Sequence, residues 1–315
     1  MPPTFSVVIA AHNAARSIAE AAESALSQTL PPLELIVSDD GSTDATEEAL
    51  APYRDRITYV RREHGGVASA RNAALELARG EFFAVLDADD RYLPERLEAL
   101  GELARERPDL DILCTDAFLE HERRVVGTFA EACPFEVVDQ RAAILQRCFC
   151  AWPAVRRTTL ITAGAFDESL RTGSDWECAI RLLYSGAAAG LVDEPLYSYR
   201  VHGNSLTADR VRTLQDRVEF LERAGRSYEL SEAQRTALAR SLRSQRATLV
   251  LTEAEAALRG RTHDARSRAL AAVRSPGVAM RSRIAAAAAV VAPRTAARAL
   301  ARRRHSRLGR SVPGR

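Results

Sequence analysis

The chain has 315 residues, of which 46% are hydrophobic and 27% charged, enough for one large or two small domains with a sizeable core. Such a composition excludes a disulfide-stapled miniprotein, a collagen-like fibre and a wholly disordered tail. The net charge of +2 hides a split: residues 1–210 carry 21 Arg against 34 Asp and Glu, residues 211–315 carry 23 Arg against 8, and no acid follows Asp264. All 44 basic residues are arginine, which together with the abundant alanine reads as coding bias.

The first 115 residues alternate between two periodicities. Short apolar runs at 5–10, 33–38, 57–61, 81–86 and 110–114 predict strands, and the stretches 14–28, 43–51, 67–78 and 95–105 predict helices between them. Strands alternating with helices argue for an α/β fold with a mainly parallel sheet flanked by helices. Further on, a helix is predicted over 140–149 behind the cap Asp139, another over 175–184 ending at Gly186, and a strand over 196–201. Beyond Ala208 the chain is helix-compatible, with breaks expected at Gly225, Gly260, 275–277 and Pro293. The expected domains are thus 1–207 and an all-helical, Arg-rich extension over 208–315 with a disordered end.

Cys114, Cys133, Cys148, Cys150 and Cys178 have no paired spacing, which argues against a disulfide framework or structural zinc and for the reducing cytoplasm. The apolar run at 5–11 is too short for a signal peptide. The longest apolar stretch, 284–292, is far short of the roughly 20 residues that cross a bilayer.

Four motifs carry chemistry. Asp87-Ala88-Asp89-Asp90 follows an apolar strand, and three carboxylates within four residues are best tolerated beside a cation. Their oxygens suit Mg²⁺ or Mn²⁺, ions that bridge to substrate phosphates; the plainer reading is a solvated turn before the next helix. Asp39-Asp40-Gly41-Ser42-Thr43-Asp44 also follows a strand. Ser42 or Thr43 serves the next helix as a cap, and either Asp39 or Asp40 is left over to accept a hydrogen bond from a nucleobase. In 64–72 the pair Gly65-Gly66 opens a helix and lets backbone N–H groups approach an anion, with Arg71 one turn on. Neither a Walker A sequence nor GxGxxG occurs there, against ATPase and dinucleotide readings. Finally, Asp175 and Glu177 stand in the first turn of a predicted helix, where Asp175 caps and Glu177 pairs with Arg181.

Together with 6–13 (Ser6-Val7-Val8-Ile9-Ala10-Ala11-His12-Asn13), the first three of these motifs come in the order and spacing of one family. Residues 4–207 resemble the inverting family 2 glycosyltransferases of GT-A fold. The resemblance implies a cytoplasmic enzyme transferring a sugar from a nucleotide diphosphate sugar, with UDP ahead of dTDP and GDP, to a glycan or lipid-linked acceptor in cell-surface polysaccharide assembly. It implies donor contacts at Ala11, Asn13, Asp39, Asp40, Arg71, Asp87 and Ala88, and metal ligands at Asp87, Asp89 and His202. Asp175 would be the catalytic base and Trp176 the acceptor platform. Ser174 stands where the family usually has an acid, which keeps open a catalytically silent nucleotide-sugar-binding partner subunit. A nucleotidyltransferase ranks third, because its glycine-rich N-terminal loop is missing. The other histidines, His12, His121, His263 and His305, form no cluster of ligand spacing.

Residues 265–315 hold 13 arginines and no acid. Without interleaved aromatic residues nucleic acid is not the expected partner. A weak, salt-sensitive contact with an anionic membrane surface, at the inner face of the cell membrane, and a solvated helical tail weigh equally.

Overall fold

The computed structural model describes residues 2–201, 209–260, 262–275 and 277–292. The chain divides into two compact units, Met1–Ser205 and Leu206–Arg315. In the first, the order is β1 (Phe5–Ala11), α1 (Ile18–Leu26), β2 (Glu34–Asp39), α2 (Thr46–Ala49), β3 (Thr58–Arg61), α3 (Val67–Leu77), β4 (Phe82–Asp87), β5 (Arg91–Tyr92), α4 (Arg96–Glu106) and β6 (Ile112–His121). There follow β7 (Arg124–Thr128), α5 (Phe129–Ala132), α6 (Gln140–Ile144), β8 (Ala154–Arg156), α7 (Arg157–Thr162), α8 (Ser174–Tyr184) and β9 (Ala189–Arg200).

These strands form one mixed sheet in the order β3-β2-β1-β4-β8-β6-β9-β5, with β7 on β6. The β3-β2-β1-β4 half is parallel, as the alternating pattern predicts. Its central strands are apolar on both faces: Val7, Val8 and Ile9 of β1 and Phe82, Phe83 and Leu86 of β4 are fully buried. The other half mixes directions, because β8 runs antiparallel to both β4 and β6 while β6 and β9 are parallel. Register sets the functional edge. Ala11 pairs with Asp39 and Ala10 with Asp87, so the acidic segments after β2 and β4 emerge side by side at the carboxyl ends of parallel strands.

Two local expectations shift in this unit. The strand expected at 196–201 is longer, running over Ala189–Arg200 with Pro195 inside it. Proline is tolerated because it faces Asp116, where the register of β6 slips on both sides and no ladder donor is needed. The helix behind Asp139 is shorter, ending at Ile144, although the Asp139 carboxylate caps it by accepting from the Ala142 N–H at 2.9 Å.

The second unit holds α9 (Arg210–Ser227), α10 (Glu232–Gly260), α11 (Ala265–Arg274) and α12 (Met280–Val291). Gly225 does not break its helix. It lies inside α9, where a Cβ would come within 2.8 Å of Leu238 on α10, so glycine there permits close helix contact. Alanine does the same for the rest, with Ala254, Ala272 and Ala286 in one buried cluster and Ala257, Ala269 and Ala289 in another. Among the described residues no helix is long and apolar enough to cross a membrane.

Glu34 ties the first unit together. It accepts from Ser6 Oγ at 2.7 Å, from the Arg79 backbone N–H at 2.7 Å and from Arg79 Nε at 2.9 Å, linking β1, β2 and the approach to β4. Burial alone would raise its carboxyl pKa, but the Ser6 and Arg79 hydrogen bonds prevail and hold it below 4.5. A depressed folded pKa stabilises the fold above the unfolded value and loses that contribution as pH falls through the folded one. Glu34→Gln is expected to cost about 1–3 kcal/mol at pH 7. In urea titrations repeated down the pH scale, the difference from wild type should shrink below about pH 4.5.

Candidate active site

The edge formed by β1, β2 and β4 collects most of the residues singled out in the sequence. Asp39 is fully buried, and both its oxygens are taken: Oδ1 accepts from the Ser42 N–H at 2.8 Å and Oδ2 from the Tyr59 hydroxyl at 2.5 Å. Asp40 is 2% exposed; its Oδ1 accepts from the Gly65 N–H and its Oδ2 from the Gly66 N–H, each at 2.8 Å. The anion that the glycine turn approaches is thus a side chain of the protein itself. Gly66 reaches this position with φ of +93°, open to glycine and strained for other residues. Ala11 is buried at the end of β1, where its carbonyl accepts the Asp40 N–H. Asn13, at φ 52°, binds the β2 loop by accepting from the Thr43 N–H at 2.8 Å.

The second acidic turn, after β4, lies on the other side of β1. Asp87 Oδ1 accepts from Arg71 Nη2 at 2.8 Å, and its Oδ2 accepts from the Trp152 indole N–H at 3.1 Å. Arg71, buried in α3, is therefore held against Asp87. Burial raises the Asp87 carboxyl pKa, the Arg71 guanidinium opposes this, and the charges of Asp89 and Asp175 raise it further. Ala88 is buried between two half-buried acids, Asp87 and Asp89. Asp90 turns inward: Tyr197 donates to its Oδ2 at 2.9 Å and the Arg200 N–H to its Oδ1 at 2.8 Å, fastening the turn to β9. Burial holds the Asp90 carboxyl well above the usual range.

Asp175 reaches the same side from α8. The helix is capped by Gly173 at φ 73°, without a side-chain cap, and the exposed Asp175 accepts the Trp176 N–H on Oδ1 at 2.8 Å. Glu177 pairs with Arg181 at 2.9 Å, and Arg181 also donates to the carbonyls of Ala163 and Ala165. That ion pair anchors the helix, so Asp175 is the acid of this turn that faces solvent. Trp176 is 5% exposed and its indole N–H donates to the Ile144 carbonyl at 2.6 Å, which turns its ring into the domain. His202 lies outside the described residues.

Two features are not legible in the sequence motifs. Trp152, half-buried at φ 45°, stacks on Tyr197 with centroids 4.7 Å apart and leans on Tyr199 at 4.8 Å. It lines a small cavity with Arg71, Phe166 and Asp175. The only local signal is an aromatic residue before Pro153 at the start of β8. His12 does have partners of ligand type, against the sequence expectation: its ring stacks on that of His64 with centroids 4.4 Å apart, both beside Asp40.

A sequence profile described as glycosyl transferase family 2 matches residues 6–156. The Escherichia coli protein WfaP, a UDP-Glc:α-D-GlcNAc-diphosphoundecaprenol β-1,3-glucosyltransferase, is 30% identical over 70% of this chain and 86% of its own length. Staphylococcus aureus TarS 1–349 in complex with UDP-GlcNAc aligns with a TM-score of 0.65 at 20% identity, covering 99% of this chain and 95% of that one. The mannosyltransferase PcManGT from Pyrobaculum calidifontis, in complex with GDP-Man and Mn²⁺, aligns with a TM-score of 0.61 at 23% identity, covering 98% and 81%. The two structures establish the GT-A fold.

Arg71→Met tests the electrostatics of this edge. Removing the guanidinium leaves the Asp87 charge beside Asp89 and Asp175, with an expected stability loss of about 1–3 kcal/mol at pH 8. Asp87 then holds its proton to higher pH in the folded chain, so stability should recover as pH falls toward 5. Denaturant titrations at the two pH values read this directly.

Proposed function

The chain belongs to glycosyl transferase family 2, and we propose that it is a metal-dependent, inverting enzyme that moves a sugar from a nucleoside diphosphate sugar to an acceptor hydroxyl. One arrangement carries this reading: Asp87 of the β4 turn is held by Arg71 and Trp152, and Arg71, Trp152 and Asp175 of α8 line one cavity, which brings the acids of that turn and Asp175 to one place. Like charges gathered at a sheet edge call for a cation. Their hard oxygen donors fit Mg²⁺ or Mn²⁺. In this reading Asp89 ligates the ion directly, and Asp87 is the oriented partner, its carboxylate turned by Arg71 and Trp152. The role of His202 as a further ligand rests on family resemblance. Bound there, the ion neutralises charge on the departing diphosphate.

The chain's own groups supply the rest. Asp40, its carboxylate aimed by the Gly65 and Gly66 N–H groups, accepts from the nucleobase edge on a remaining lone pair, while Asp39, bound to Ser42 and Tyr59, holds the loop in shape. Ala11 and Asn13 border the nucleoside from β1, and Ala88 leaves room for the donor between the acids. Arg71 acts on the donor through Asp87. Asp175 takes the proton from the acceptor hydroxyl as its oxygen attacks the anomeric carbon opposite the leaving diphosphate, which inverts that centre. The Trp176 N–H fixes the Asp175 carboxylate. The acceptor platform passes from the inward-turned Trp176 ring to Trp152, which borders the cavity beside Asp175. UDP is the favoured nucleotide, ahead of dTDP and GDP. The acceptor is a lipid-linked glycan of a cell-surface polymer, met at the cytoplasmic face of the membrane, where the arginine-rich C-terminal region makes a weak anionic-surface contact.

Thermal-shift titration with UDP, dTDP, GDP and their sugars, with and without Mn²⁺, tests the donor side. One nucleotide should stabilise the wild type in a metal-dependent way, and Asp89→Ala should abolish the effect. Asp175→Asn should keep donor binding while transfer falls by roughly 10²–10⁴-fold. The reading fails if no nucleotide stabilises the protein, or if Asp175→Asn transfers sugar at the wild-type rate.

A further inference from the structure

We propose that His12, Asp40 and His64 form a second metal site, distinct in chemistry from the Asp87–Asp89 turn and selective for borderline divalent ions such as Zn²⁺. One ring nitrogen of each histidine and one carboxylate oxygen of Asp40 lie within 4.8 Å of one another. Tetrahedral zinc, with Zn–N of about 2.0–2.1 Å, sets its ligands roughly 3.3 Å apart. Rotation of two exposed imidazoles closes that gap; the His64 side chain is 59% exposed against 3% for Asp40.

The anchor of the group is already fixed. The Gly65 and Gly66 N–H groups each hold one Asp40 oxygen, which sets the direction of the carboxylate. His64 Nδ1 lies 2.8 Å from Asp40 Oδ2. His12 Nδ1 lies 2.9 Å from the Asp40 carbonyl oxygen. A carbonyl only accepts, so Nδ1 carries the hydrogen and the lone pair sits on Nε2, toward which the Asn13 amide donates at 3.1 Å. An imidazole with Nδ1–H on a backbone carbonyl is held in the tautomer that ligates through Nε2.

Donor chemistry separates the two sites. Two imidazoles and a carboxylate suit Zn²⁺, Ni²⁺ or Cu²⁺, while the all-carboxylate turn after β4 suits Mg²⁺ or Mn²⁺. Three protein ligands leave a coordination position open to water. One consequence rests on the nucleotide reading above: an ion on Asp40 occupies the carboxylate assigned to the base, so Zn²⁺ and nucleotide exclude one another while Mn²⁺ and nucleotide bind together.

The test titrates the full chain with Zn²⁺ against a chromophoric chelator. Wild type should take up one ion with an affinity that His12→Gln and His64→Gln each weaken by at least about tenfold, and that Asp89→Ala leaves unchanged. Co²⁺ on the wild type, which needs no variant, should give the intense visible bands of tetrahedral nitrogen and oxygen coordination. Equal Zn²⁺ affinity in wild type and in the His12→Gln/His64→Gln double variant, loss of binding only in Asp89→Ala, or weak octahedral Co²⁺ bands would each overturn the site. Nucleotide stabilisation repeated in Mn²⁺ with and without Zn²⁺ separates the remaining claims. Stabilisation that persists in Zn²⁺ overturns mutual exclusion. A nucleotide that never binds sinks the donor reading and leaves the direct Zn²⁺ measurement as the judge of the site.

Discussion

The first unit depends on keeping several carboxylates close together at one edge of a sheet without letting them repel the strands apart. Parallel register leaves no choice about where they emerge: Ala11 sits beside Asp39 and Ala10 beside Asp87, so two acidic turns open on one side. The fold disposes of the charges one at a time. Asp39 is closed off by Ser42 and Tyr59, Asp40 by two glycine N–H groups, and Asp90 by Tyr197 and the backbone of Arg200. Asp87 keeps a half-buried position against Arg71. Asp87 and Asp89 stay half-buried and Asp175 is exposed, and the proposed chemistry draws on these three acids.

This arrangement explains why the second half of the sheet matters to a site built mainly on the first. β9 fastens the Asp90 turn, and Trp152, just before β8, both stacks on Tyr197 and donates to Asp87. Arg96, buried with its guanidinium over Tyr92 and Tyr197, donates to the Trp152 carbonyl at 2.6 Å. Cation and rings hold the indole in a backbone conformation that few large residues adopt. The unfavourable φ at Trp152 is thus compensated next to the acids it orients.

The two units are built on different packing rules. Branched and aromatic residues fill the sheet core, whereas the helical unit mixes buried Leu214, Phe220, Leu221 and Leu238 with clusters of alanine and with Gly225. Small residues bury less apolar area each, so helix contact there comes from close approach along long seams. Gly225 reads as a breaker in isolation because glycine is a poor helix former. Tertiary contact with Leu238 overrides that propensity.

By itself the sequence determined the alternation of elements, the strand ends that carry Asp39-Asp40 and Asp87-Ala88-Asp89-Asp90, the glycine turn, and the helix that presents Asp175. Each of these is a local pattern, with period, cap and turn chemistry confined to a few neighbouring residues. Only the tertiary structure decided what each acid meets, since Asp39 is bound by Tyr59, 20 residues away, and Asp40 by Gly65 and Gly66, 25 and 26 residues away. It also decided that Trp152 meets Asp87 across 65 positions and that Trp176, though next to Asp175, faces inward toward Ile144. His12 and His64 belong to separate motifs, after β1 and β3, and become neighbours only when β1, β2 and β3 pair in register. Side-chain commitments of this kind are set by packing between distant segments, and no spacing along a single chain encodes them.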